Sequence, residues 1–199
     1  MRYIFIILES ILYGLFIYLD FMSKSSVYVK YLSVILCFVF SLLFNSKKKE
    51  SRFLILTSLL TISADLFLLV LDDYYEIGIA IFCVVQSIYA LSMKKKTLII
   101  RAVILVTLVV LFFMKVTQLQ NLLAVYSITC LLLNVVDSFS FTSKSFTIGL
   151  ILFALCDISV GLFNISDGIV GNIAGNLMWI FYLPSQVLIA LSGGPHEKK

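Results

Sequence analysis

The sequence predicts an all-α protein, a polytopic transmembrane bundle of about eight helices. Three observations carry this. Of the 199 residues, 61% are hydrophobic and only 13% charged, whereas a soluble domain carries roughly 25% charge. Proline occurs twice in the whole chain, and no acidic or Ser/Gly-rich linker divides it. Apolar runs near the ~20 residues needed to cross hydrocarbon alternate with short charged clusters. A single transmembrane domain is expected over residues 1–192, followed by a short cytoplasmic tail, 193–199.

The runs are justified in order by what bounds them. Tyr3–Leu19 is followed by no small-residue cleavage site, so it reads as a retained helix rather than a signal peptide. Val27–Phe44 stops at Lys47-Lys48-Lys49. Phe53–Leu71 runs from Arg52 to Asp72-Asp73, and Ile77–Met93 returns to Lys94-Lys95-Lys96. Leu98–Met114 and Leu119–Val136 are parted only by Lys115-Val-Thr-Gln. Phe146–Phe163 follows Lys144, and Ile173–Leu191 precedes the tail.

Charge orients these spans. The three lysine clusters at 47–49, 94–96 and 198–199 fall on one face with Arg52, Arg101 and Lys144. Asp20, Asp72, Asp73, Glu76 and Asp167 fall on the other, with Lys24 and Lys115 as its positives. The positive-inside rule therefore places both termini in the cytoplasm of a multi-pass cell-membrane protein. The net charge of +4 lies in these loops and implies no nucleic-acid partner.

A faint repeat is also present. Gln86-Ser-Ile-Tyr-Ala-Leu-Ser in the fourth run echoes Gln186-Val-Leu-Ile-Ala-Leu-Ser in the eighth. An offset of four helices preserves orientation, which suits two parallel four-helix repeats. Chance likeness between Leu/Ile/Ala-rich helices is the rival account.

Two residues stand out against this apolar background. Asp65 and Asp157 each lie thirteen residues beyond an inner basic residue, Arg52 and Lys144. At ~1.5 Å rise per residue, both sit about 20 Å from the same membrane face. Carboxyl groups at that depth are costly and mark function by default. Helical spacing adds Ser58 and Thr61 to the face of Asp65, and Gly161 and Asn164 to that of Asp157. Asn172, Asn176, Trp179, Tyr182 and Gln186 form one stripe of the eighth helix. With Lys30, Glu9 and Gln86, these groups are expected to line one polar cavity open toward the outer half of the membrane. Isolated Asn and Gln in membrane helices otherwise serve as interhelical hydrogen bonds, which is the simpler reading for Gln86, Asn134 and Gln186.

Other chemistry is excluded. Cys37, Cys83, Cys130 and Cys156 all fall within apolar runs without a C-x-x-C pair, as buried thiols do. The one histidine, His196, sits in the tail, so neither a Ser-His dyad nor a histidine zinc site is available. No phosphate-binding glycine loop, nucleophile elbow or metal-spaced cluster occurs, and no cofactor is expected. Gly171-Asn-Ile-Ala-Gly175 is a small-residue helix contact, Pro184 a kink freeing a carbonyl near Gln186, and Asp137 a solvated cytoplasmic end.

Several ordered pieces resemble the YhhN family of membrane proteins, which includes the lysoplasmalogenases. Val29-Lys30-Tyr31 matches a family lysine usually followed by proline. Ser63-Ala64-Asp65-Leu66 resembles its Gly-Asp motif, and Phe82 through Gln86 to Tyr89 its Phe-x-x-x-His-x-x-Tyr. Gly149 through Phe153 to Asp157 is close to Gly-x-x-Leu-Phe-x-x-Ser-Asp, and Tyr182 to Gln186 to Tyr-x-x-x-Gln. Tyr31, Ala64, Gln86 and Cys156 replace the family's proline, glycine, histidine and serine; Gln86 cannot supply a titrating imidazole.

The resemblance implies hydrolysis of the vinyl ether bond of lysoplasmalogens, giving a fatty aldehyde and a glycerophospho-ethanolamine or -choline. The residues suit that chemistry. A general acid protonates carbon, and water captures the oxocarbenium ion; a second carboxylate activates that water, as in glycosidases. Asp65 and Asp157 are the candidate catalytic pair, with the acid and the base unassigned. Lys30, Gln86, Asn176, Tyr182 and Gln186 are the candidates for binding and positioning a lysophospholipid drawn from the bilayer. A small proton-coupled transporter using the same two aspartates, or an inactive lipid-binding relative, are the alternatives.

Overall fold

A computed structural model describes residues 2–46, 51–93, 97–115, 117–140 and 143–193. The helices are α1 (Arg2–Phe21), α2 (Val27–Asn45), α3 (Arg52–Asp65), α4 (Tyr75–Ser92), α5 (Leu98–Phe113), α6 (Leu119–Ser138), α7 (Lys144–Ile165) and α8 (Gly168–Ser192). A π-helical segment, Leu66–Leu71, carries α3 onward to the turn before α4. Of the described residues 88% are helical, and none lies in a strand. The eight expected helices are all present, α3 and α7 starting at Arg52 and Lys144 themselves. Lys47–Lys49, Lys94–Lys96, His196 and Lys198–Lys199 lie outside the described residues.

Among the described residues seven helices are long and apolar enough to cross a membrane. The eighth, α5, has 16 residues, about 24 Å at the α-helical rise, and is shorter than the full span read from the sequence. Left-handed backbone at Asp72 (φ 50°) and Tyr74 (φ 55°) makes the sharp α3–α4 turn. Gly193 (φ 69°) ends α8, and its carbonyl accepts a hydrogen bond from Ser51 Oγ at 2.5 Å, tying α8 to the start of α3.

The most extensive helix pair is α7 with α8, and glycine makes it possible. A Cβ added at Gly149 would lie 2.8 Å from Ile189 Cγ1 and 3.1 Å from the Ser185 carbonyl oxygen. At Gly171 it would run into the Ser166 carbonyl, and at Gly175 it would press on the Phe163 ring at 3.1 Å. The Gly171–Gly175 pair thus allows the close approach expected of it. Gly149→Val should lower the unfolding midpoint in detergent, overpacking of this kind costing about 1–3 kcal/mol. Gly161→Ala, with nothing within 4 Å of the added methyl group, should leave the midpoint unchanged in the same assay.

The helix pairs follow the four-helix offset. In the first half α1 packs on α2, α2 on α3 and α3 on α4; in the second, α5 on α6, α6 on α7 and α7 on α8. The halves join through α4 with α6 and, correspondingly, α8 with α2. The contacts of α8 with α1 and with α3 have no counterpart of like extent between α4 and α5 or α7. Aromatic side chains fill the centre: Phe53, Tyr89 and Phe146 meet edge to face with centroids 5.7–6.4 Å apart. Pro184 removes one helical donor in α8. The carbonyl it frees is that of Ile180, six residues before Gln186 rather than beside it, and Tyr13 Oη donates to it at 3.3 Å.

Candidate functional site

The π-helical segment begins at the residue after Asp65. Its Leu68 packs where Gly78 of α4 leaves room, since a Cβ at Gly78 would fall 2.5 Å from Leu68 Cγ. Such wide turns are uncommon and concentrate at functional sites. Asp65 is 4% exposed, and Tyr182 Oη of α8 donates a hydrogen bond to its Oδ2 at 2.7 Å. The phenol is held in place by rings: Trp179 lies 5.4 Å and Phe153 5.7 Å from it, both edge to face. Phe153 also meets Phe82 of α4 at 5.7 Å.

Asp157 lies on α7 beside Cys156, half-buried. It takes part in no hydrogen bond or ion pair among the described residues. Asp65 of α3 thus meets Tyr182 of α8, while Asp157 follows the buried Cys156 on α7. Gln186, buried one turn beyond Tyr182, approaches Ser185 Oγ with its Nε2 at 3.4 Å.

The remaining polar residues do not join this region in one cavity. The structure divides them into separate clusters. Lys30, 8% exposed, donates to Asp20 Oδ2 at 2.9 Å, and Ser26 Oγ donates to the other oxygen. The Lys30 ammonium also lies over the rings of Trp179 (4.9 Å) and Phe16 (5.3 Å). Among the described residues the ion pairs are Lys30–Asp20 and Arg101–Asp137, so Lys30 pairs directly with neither aspartate of the site. Sequence held the signal for this. Asp20 and Lys30 stand at equal distances from Ser25 at the centre of an antiparallel α1–α2 hairpin, which brings them side by side.

Glu9 is buried between α1 and α2, where Ser33 Oγ donates to one oxygen and Cys37 Sγ to the other at 3.4 Å. Gln86 is fully buried, and both its carbonyls accept from Asn134 Nδ2, the side-chain oxygen at 2.8 Å and the backbone oxygen at 3.0 Å. Asn134 Oδ1 in turn accepts from Arg101 at 2.9 Å, and Arg101 pairs with Asp137 Oδ2 at 3.2 Å. Thr97 Oγ1 completes the cluster, donating to the same Asp137 oxygen at 2.7 Å. Gln86 therefore serves a network joining α4, α5 and α6.

Three expectations are corrected here. Asp137 is 5% exposed and paired, not solvated, because Arg101 turns inward from α5 to meet it. Asn176 is on the surface: Gly171, Ala174 and Gly175 press α8 against α7 and turn the opposite side outward. Asn164 is likewise exposed and donates to the Val160 carbonyl of its own helix. Thr61, one turn before Asp65, is buried as expected, and its hydroxyl has no hydrogen-bond partner. The four cysteines are buried and free. A cleft of about 260 Å³ between α4, α5 and α6 borders Arg101, Tyr126 and Cys130, away from both aspartates.

Bundle and site together define a polytopic α-helical membrane protein with two intramembrane aspartates at matched depth. Comparison with known families gives the particular group: the YhhN family matches residues 25–193 of the 199, and the chain belongs to it. No curated protein and no solved structure matches the chain.

Proposed function

We propose that this protein hydrolyses the vinyl ether bond of lysoplasmalogens within the membrane, releasing a fatty aldehyde and a glycerophospho-ethanolamine or -choline. One observation carries the reading: two carboxyl groups lie thirteen residues beyond the first residues of α3 and α7, and one of them, Asp65, accepts the Tyr182 hydroxyl. Vinyl ether cleavage needs a proton delivered to the carbon remote from oxygen, then water added to the carbon that bears it. Collapse of the resulting hemiacetal gives the aldehyde and frees the glycerol hydroxyl. Paired carboxylic acids supply both proton movements, one as acid and one as base. Tyr182 and Gln186 are the positioning groups nearest the pair, and family membership supports the substrate class.

The direct test is incubation of purified protein with an alkenyl lysophospholipid, reading aldehyde. Release from the alkenyl lipid and not from its saturated ether analogue is the expected result. No release, with proton movement across liposomes instead, replaces the hydrolase with the transporter.

The proposal includes a cell-membrane protein with both termini cytoplasmic, from the distribution of basic loop residues. All four native cysteines are buried, so single introduced cysteines report topology. Asp73→Cys should react with an impermeant maleimide from outside and Lys48→Cys only after permeabilisation. Labelling of both from one side overturns the assignment.

A further inference from the structure

The two aspartates are not equivalent. Asp65 is sealed in the bundle and receives the Tyr182 hydroxyl at 2.7 Å. Asp157 is half-buried and receives no donor among the described residues. The repeat shows where that difference originates. Superposing Gln86 on Gln186 sets Phe82 of α4 against Tyr182 of α8, each one turn before its glutamine. Both rings pack on Phe153 at the same centroid distance of 5.7 Å. The two positions thus differ by one hydroxyl group, and that group faces Asp65.

We propose that Asp157 is the proton donor and Asp65 the ionised partner, with Tyr182 as the positioning residue that fixes this order. A hydroxyl donated to a carboxyl group favours its anion, and a carboxyl in apolar surroundings without a donor favours its neutral form. The roles rest on the hydrolase reading. The Asp157 proton forms the new C–H bond at the vinyl carbon remote from oxygen, using the alkene electron pair. Water then bonds to the oxygen-bearing carbon of the cation and gives its proton to Asp65. Passage of that proton back to Asp157 resets the pair. Partial exposure of Asp157 suits the group that must reach the lipid.

Infrared spectroscopy of the protein in lipid nanodiscs tests the order without turnover. A Glu9→Gln background removes the buried carboxyl of the α1–α2 contact, Asp137 is held by the Arg101 cation, and gel filtration confirms that each variant is folded. At neutral pH the parent should show a protonated-carboxyl carbonyl band. Asp157→Asn should abolish the band, while Asp65→Asn should keep it. Tyr182→Phe should add a second band that a further Asp65→Asn removes. A merely structural tyrosine would add none. A band absent from the parent, surviving Asp157→Asn or vanishing with Asp65→Asn overturns the assignment, as does a Tyr182→Phe spectrum unchanged from the parent. Absence of aldehyde release alongside the expected bands would reject the hydrolase reading and leave the ordered proton pair standing.

Discussion

Replacing either Asp65 or Asp157 with asparagine is expected to reduce aldehyde release from an alkenyl lysophospholipid by about 10²–10⁴-fold, the usual contribution of a positioned acid or base. Asparagine keeps the size and planarity of the side chain but cannot cycle a proton. At Asp65 it also retains an oxygen for the Tyr182 hydroxyl, so the α3–α8 contact persists. The measurement is a single-turnover assay on variants whose unfolding midpoints match the parent. Full activity in both would sink the paired-acid mechanism. Loss accompanied by unfolding would instead mark the two carboxyls as structural. Since the two residues act as a unit, the double variant should lose little more than the worse single one.

The largest effect on stability is expected away from this site, at Arg101. Its guanidinium donates to Thr97 Oγ1, the Cys130 carbonyl, Asn134 Oδ1 and Asp137 Oδ2, holding α5 to α6. Arg101→Leu would leave Asp137 as a carboxyl buried without its cation, and breaking one side of such a pair costs about 3–5 kcal/mol. Asn134 would lose its donor as well, loosening its hold on Gln86. Arg101→Lys should recover only part, because an ammonium cannot reproduce the planar fork of donors. The combined Arg101→Leu, Asp137→Leu variant should be more stable than Arg101→Leu alone, because apolar groups can replace a buried pair but not half of one. Thermal unfolding in one detergent across the three variants checks this. Equal midpoints for the parent and Arg101→Leu would mean that the network contributes nothing.

The contrast between these two regions shows what the sequence could and could not reveal. Helix limits were legible because Arg52, Lys144 and the acidic Asp72–Glu76 turn mark membrane faces, and hydrophobic length does the rest. The depth of Asp65 and Asp157 was legible for the same reason, being a count along two parallel helices. Lateral placement was not. Arg101 at the inner end of a span reads as one more cytoplasmic positive charge, and only the docking of α5 on α6 turns it inward to Asp137. Asn176 shares a helical stripe with Tyr182, yet the small residues on the neighbouring side decide which way α8 faces. Helical periodicity specifies which residues share a face. It does not specify which partner that face meets.

The π-helical segment after Asp65 bears on how such chains diverge. A turn closed from i to i+5 holds one residue more than an ordinary α-turn, so Leu66–Leu71 amounts to a one-residue insertion absorbed inside a membrane span. Everything beyond it is rotated by about 100° relative to an uninterrupted helix. Removing one residue there would let α3 continue regularly without moving Asp65, and the change of phase would fall on the Asp72–Tyr74 turn, where left-handed backbone already bends the chain. Length variation between relatives is therefore best accommodated between Leu66 and Leu71, on the C-terminal side of the aspartate. The stretch from Arg52 to Asp65 has no such slack, because an insertion there would carry the carboxyl group away from Tyr182.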